Sequence, residues 1–197
     1  MDEHLTALLE EIAEQGREHD AREADHPKKM LNLEPDTARL VHILALSHGA
    51  KSILEIGTSN GYSTIWLASV AAVNKGCVTS IDVSAEKQAM ARENLRRAGL
   101  LERVELVQGK AGSVVKELAG PFDVVFVDAD RLGAAENLKV LLPKLAASAL
   151  LLADNVVSHP EEIAGYLEAV DALDDFEHVM VPIGKGLSVA YRGGGWG

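Results

Sequence analysis

From residue 51 onward, short apolar runs alternate with stretches in which apolar residues recur every three or four positions. The first pattern is that of strands covered on both faces, the second that of helices. Strands are expected at 51–56, 77–82, 103–107, 122–128 and 149–154. Helices are expected at 63–73, from Ser84 to near Gly99, and at 111–118, 134–145 and 160–173. Two further strands, 177–182 and 187–191, flank Ile183-Gly184-Lys185-Gly186 and read as an antiparallel hairpin. Upstream, Leu5, Leu8, Leu9 and Ile12 mark a helix over 3–18. The charged segment 18–29 reads as a loop, and a second helix spans 35–48 with Pro35 in its first turn. The glycine-rich 193–197 reads as a flexible tail. Five strand–helix units followed by a hairpin predict an α/β, doubly wound Rossmann-like sheet with right-handed crossovers. Residues 1–192 read as a single domain, with 1–30 as an N-terminal helix and loop extension.

Composition narrows the classes. A net charge of −11 counts against broad adhesion to nucleic acid or anionic membranes. The single cysteine, Cys77, excludes an internal disulfide, fits a reducing compartment, and at a strand start reads as a small buried side chain. The acidic Met1-Asp2-Glu3-His4 is no secretory signal, and no apolar run approaches the roughly 20 residues that cross a bilayer. The expectation is a soluble, cytoplasmic protein.

Doubly wound sheets bind ligands outside the carboxyl ends of their strands, at the switch point. Those ends carry Glu55 with Gly57, then Asp82, Gln108, Asp128, and Asp154-Asn155. Gly57 and Gly61 let the backbone turn sharply and approach a ligand, and the following helix aims its N-terminal amides at the same turn. Asp82, 25 positions after Gly57, stands where a carboxylate receives ribose hydroxyls. Ser59 occupies the place of the second glycine that a dinucleotide pyrophosphate requires, which disfavours a nicotinamide or flavin.

Glu55-Ile56-Gly57-Thr58-Ser59-Asn60-Gly61-Tyr62-Ser63, Asp82, the run from Phe122 to Arg131, and Leu152-Ala153-Asp154-Asn155-Val156 resemble the cation-dependent O-methyltransferases of the catechol and caffeoyl-CoA type. The resemblance runs from about residue 31 to 191. It implies S-adenosylmethionine as cofactor and a seven-stranded methyltransferase sheet with a terminal antiparallel hairpin. By position, Glu55, Gly57, Thr58 and Gly61 would line the methionine end and Ser63 would bind its carboxylate. Asp82 would meet the ribose and Ala111 the adenine, and Val83 and Asp128 would also contact the cofactor. Leu31-Asn32-Leu33 would close over the cofactor. The resemblance also makes Asp128, Asp154 and Asn155 metal ligands; two carboxylates and an amide oxygen are a hard, oxygen-only set suited to Mg²⁺, with Mn²⁺ or Ca²⁺ as alternatives.

Asp128 and Arg131 are the expected catalytic residues. Arg131 stands where the family usually has a lysine that takes the hydroxyl proton, which a guanidinium cannot do. Two roles are open to it: steadying an oxyanion, or an exposed charge. Leu132-Gly133-Ala134 replaces the family's tyrosine-containing stretch, and Lys110 stands where an acid is common. Trp66 reads as core, His159 as a surface residue at a helix start, and His19 and His26 as parts of a solvated loop.

These observations lead to a methyltransferase acting on a hydroxyl of a small, catechol-like acceptor with a divalent cation, assembled as a homodimer by family resemblance. Two alternatives remain: methylation of tRNA on the same fold, and a cofactor-binding protein with weak or no catalysis.

Overall fold

The computed structural model describes residues 3–193. Helix α1 (Glu3–Arg22) and α2 (Pro35–His48) precede an alternating series. It comprises β1 (Ser52–Ile56), α3 (Tyr62–Asn74), β2 (Cys77–Asp82), α4 (Ala85–Arg97), β3 (Val104–Gln108) and α5 (Ala111–Glu117). It continues with β4 (Phe122–Val127), α6 (Ala134–Leu141), β5 (Leu145–Ala153), α7 (Pro160–Asp171), β6 (Glu177–Val181) and β7 (Leu187–Arg192). The seven strands form one sheet in the order β3-β2-β1-β4-β5-β7-β6. Strands β1 to β5 run parallel, while β7 pairs antiparallel with both β5 and β6. This is the doubly wound, seven-stranded Rossmann-like sheet with a terminal hairpin that the residue pattern predicts.

Alternation along the strands divides the core between the two faces of the sheet. Ile53, Val124, Phe126 and Leu152 join α1, α2 and α3 on one face. Leu54, Ile56, Val125, Val127 and Leu151 join α6 and α7 on the other. Helix α1 is part of the first core: Leu5, Leu8, Leu9 and Ile12 are buried, and Arg97 of α4 makes a two-oxygen ion pair with Glu11 at 2.7 Å.

Several boundaries differ from expectation. Helix α1 continues through Arg22, supported by the Arg22–Glu18 pair one turn apart, and a short 3-10 turn (His26–Lys28) occupies part of the expected loop. Helix α6 stops at Leu141 because Pro143 cannot continue it, and β5 starts earlier than expected, at Leu145. Cys77 is exposed, not buried: as the first residue of β2 it precedes the covered part of the strand. The expected tail falls mostly outside the described residues, which end at Gly193. Among the described residues, no helix is long and apolar enough to cross a membrane.

Candidate active site

The order β2-β1-β4 places the switch point between β1 and β4, and a cleft of about 450 Å³ opens there. Its walls include Gly57, Asp82, Val83, Lys110, Ala111 and Asp130. Gly57 has φ +112°, and a Cβ on it would lie 3.0 Å from the Ala129 Cβ and 3.1 Å from the Asp128 carbonyl carbon. Only glycine permits both that backbone conformation and that closeness of β1 to β4. Asp82 is fixed from both sides: its carboxylate accepts from Ser59 N–H at 2.8 Å and from Ser84 N–H at 2.9 Å. Ser84 in turn caps α4, its hydroxyl accepting from Lys87 N–H at 3.2 Å.

Glu55 behaves differently from a wall residue. It is fully buried and accepts from Ser63 Oγ at 2.6 Å, and from Thr64 Oγ1 and Ser80 Oγ at 2.5 Å each. Thr58 Oγ1 and Ser80 Oγ lie 2.6 Å apart, extending the network. Burial pushes the Glu55 carboxyl up to about 7, although the three hydroxyls pull it down. The network braces the turn from beneath. Ser63 and Thr58 belong to that network, the Ser63 hydroxyl being committed to Glu55, while Gly61, with φ +87°, turns the chain against Ala91 of α4. Leu33 is buried in the first core cluster, while Leu31 is 44% exposed with φ +50°. Its segment is tied down at both sides: Met30 and Leu31 amides donate to Asp20 at 2.7 and 2.8 Å, and Ser59 Oγ donates to the Met30 carbonyl at 2.6 Å.

Beyond the cleft, the ends of β4 and β5 bring Asp128, Asp154 and Asn155 together. Asp154 N–H donates to the Val127 carbonyl at 3.0 Å, which sets the two strand ends side by side. Asn155 Nδ2 donates to Asp128 Oδ1 at 2.9 Å, from a backbone with φ +67°. Asp154 is 2% exposed, and its Oδ1 is buried with no hydrogen-bond partner among the described residues. Removal from water and the charges of Asp154 and Glu55 push Asp128 well above the usual carboxylate range. Burial, opposed by the Asn155 amide, raises Asp154 as well. Among the described residues no three His, Cys, Asp or Glu side chains gather as a metal-holding group. The oxygen set here is two carboxylates and an amide. A bare buried carboxylate oxygen beside a second carboxylate fits a cation, which would relieve both the unpartnered atom and the like-charge repulsion.

Arg131 does not project freely. Its Nε donates to Glu162 Oε2 of α7 at 2.8 Å, and the side chain is 24% exposed. Trp66 is core, in edge contact with His42, and His159 stands half-buried ahead of α7 with a 2.8 Å contact to Ser158 Oγ. Two residues absent from the sequence-based expectation border the rim. Lys185 and Glu34 form an ion pair at 3.0 Å, and the charges of both act on Asp128 and Asp154. The only signal for Lys185 was its position between two glycines in the hairpin turn; for Glu34 there was none.

A mixed sheet with a switch-point cleft, a carboxylate fixed at the end of β2 and a carboxylate–amide rim defines a Rossmann-like α/β architecture. The chain belongs to the O-methyltransferase family, which it matches over residues 3–192. It is 36% identical over 131 residues to a catechol O-methyltransferase of Niastella koreensis, covering 64% of this chain and 59% of that protein. It is 40% identical over 116 residues to a catechol O-methyltransferase of Mycobacterium tuberculosis, covering 58% and 52%. These two matches thus span little more than half the length of each relative. Among solved structures, an O-methyltransferase from Bacillus cereus in complex with SAH superposes with a TM-score of 0.81 at 26% identity, covering 95% of this chain and 91% of that one.

Proposed function

We propose that this protein transfers the methyl group of S-adenosylmethionine to a hydroxyl of a small, catechol-like acceptor, with a divalent cation held by Asp128, Asp154 and Asn155. The observation that carries the reading is the bare Oδ1 of Asp154 beside Asp128, at the edge of the cleft that Asp82 and Gly57 form. Family membership and the SAH complex of the Bacillus cereus structure support the donor side; the names of the two catechol O-methyltransferases support the acceptor side.

In this reading Asp82 takes the ribose hydroxyls, with Val83 and Ala111 beside the nucleoside and the glycine turn at the methionine end. A bound dication would lower the pKa of the acceptor hydroxyl and fix its oxygen. Methyl transfer forms an O–C bond as the S–C bond breaks, leaving S-adenosylhomocysteine, and the hydroxyl proton passes to the Asp130 carboxylate or to water. The chain's own contribution is placement and exclusion of water around two groups held in line. Arg131 takes no proton; its guanidinium steadies negative charge at the rim, and Glu162 fixes its direction.

Labelled methyl transfer from S-adenosylmethionine to catechol tests the proposal. Transfer with Mg²⁺ that EDTA abolishes is the expected result. Equal transfer in EDTA would remove the cation from the reaction, and no transfer to catechol or other chelating acceptors would sink the assignment.

A further inference from the structure

The turn between β6 and β7 is locked onto the loop that follows the Asp154-Asn155 rim. The Lys185 carbonyl accepts from Val157 N–H at 2.9 Å and Ser158 N–H at 3.1 Å, and the Gly186 carbonyl from Val156 N–H at 3.2 Å. On its other side the turn rests on the start of α2: a Cβ on Gly184, which has φ +53°, would lie 2.5 Å from Thr37 Oγ1 and 3.0 Å from Glu34 Oε2. Lys185 therefore has a fixed backbone, while its side chain is 38% exposed. Its Nζ meets Glu34 Oε1 at 3.0 Å, yet Glu34 Oε2 is buried with no hydrogen-bond partner among the described residues. An ammonium has three donors, so this pair leaves donors free on one side and a bare carboxylate oxygen on the other. A purely structural ion pair would satisfy both partners.

The position of Lys185 gives that incompleteness a use. Its positive charge is felt by both Asp128 and Asp154. The other cation whose charge reaches Asp154, Arg131, is already engaged by Glu162. Leu132 (81% exposed) follows Arg131, and Val157 (60% exposed) is bonded through its amide to Lys185 itself. Apolar side chains and a partly free ammonium thus lie around one carboxylate–amide rim. An acceptor complementary to that surface has an apolar body, a metal-chelating hydroxyl and an anionic group beyond it.

We propose that Lys185 selects the acceptor: its ammonium binds a carboxylate carried on the acceptor's apolar body, beyond the reacting hydroxyl, and Glu34 is the resident counter-ion that this carboxylate displaces. The inference rests on the O-methyl transfer reading for the identity of the reacting group. Lys185 thus acts as an anion holder and a specificity residue.

The test compares two rings that differ in one carboxylate, 3,4-dihydroxybenzoate and catechol, with S-adenosylmethionine and Mg²⁺. The readout is the ratio of their kcat/KM values. Lys185→Met is expected to lower that ratio by at least about tenfold, the scale of one charge-assisted hydrogen bond. Lys185→Arg should preserve the preference, and Glu34→Gln, which frees the ammonium, should raise it. The two halves of one ion pair thus shift the ratio in opposite directions. If Lys185→Met and Glu34→Gln leave the ratio unchanged, the pair is a latch and the proposal is overturned. Calorimetric binding of 3,4-dihydroxybenzoate to the protein with S-adenosylhomocysteine and Mg²⁺ separates this from the underlying reading. Binding that Lys185→Met weakens and Glu34→Gln tightens, without turnover of either ring by the unaltered protein, would retain Lys185 and remove methyl transfer to catechols. Absence of binding to the unaltered protein would overturn Lys185 as the acceptor's anchor. If Lys185→Met fails to fold, Lys185→Arg and Glu34→Gln carry the comparison.

Discussion

Asn155 Nδ2 donates to Asp128 Oδ1 at 2.9 Å, so the amide hydrogen faces the carboxylate that shares its rim. Half a turn of the terminal amide torsion exchanges its nitrogen for its oxygen at little steric cost. The same three residues can therefore close on one another without a cation and present oxygen atoms to one.

Replacing Asp154 and Asn155 by alanine together should abolish Mg²⁺-dependent turnover and leave the dissociation constant of S-adenosylhomocysteine nearly intact, since neither residue lines the Asp82 cleft. Activity assays and calorimetry on the same preparation check both halves. Undiminished Mg²⁺-dependent turnover would remove these two residues from the metal site.

Asp82→Ala should weaken S-adenosylhomocysteine binding by roughly 1–3 kcal/mol, the scale of losing hydrogen bonds to a charged group. Ser59 and Ser84 amides lose their acceptor in the same variant, so its thermal stability should fall as well. Calorimetry at a temperature well below the variant's Tm isolates the binding term. An unchanged dissociation constant would place the ribose elsewhere.

Glu55 sets a pH dependence of stability. Its ordinary value of 4.5 applies to the unfolded chain, and burial lifts it to about 7 in the fold. Between those values the folded state keeps a proton that the unfolded state has released, so stability is full below about pH 4.5 and is lost as pH rises through 7, by on the order of 3 kcal/mol in all. Glu55→Gln has no such proton, so its urea-unfolding free energy should change less between pH 5 and 8 than that of the unaltered protein. Identical slopes would exclude Glu55 as the source.

Gly57→Ala should destabilise the fold by about 1–3 kcal/mol, because alanine at φ +112° is strained and its methyl would press on Ala129 and Asp128. The same methyl narrows the cleft, so S-adenosylhomocysteine affinity should fall too. A variant with unchanged Tm and affinity would show that the turn can relax.

The sequence carried the strand–turn–helix at the glycine turn, the order of the rim carboxylates and the terminal hairpin, because each is local or repeats with a short period. It did not carry what Glu55 touches. Ser80 reaches Glu55 because β1 and β2 pair with these two residues in register, and Ser63 and Thr64 reach it because α3 packs back on the strand. Register and packing angle are properties of the assembled sheet, so the same glutamate read as a wall residue when only its neighbours in sequence were in view. Lys185 and Glu34 were missed for the same reason: 151 positions separate two charges that meet only after the hairpin settles on α2. Cys77 shows the reverse error, a residue type that is usually buried standing at the open end of its strand.

Strand β7 is the last of the seven in chain order, yet it lies inside the sheet, between β5 and β6. During synthesis the donor half, β1 to β4, can pair long before β7 leaves the ribosome, while β5 keeps one bare edge until it arrives. Lys185 reaches the rim on the turn that β7 completes, so the acceptor side takes shape only once β7 has been made. A nascent chain stalled before Leu187 would have the means to hold a methyl donor and no finished surface to choose where the methyl goes.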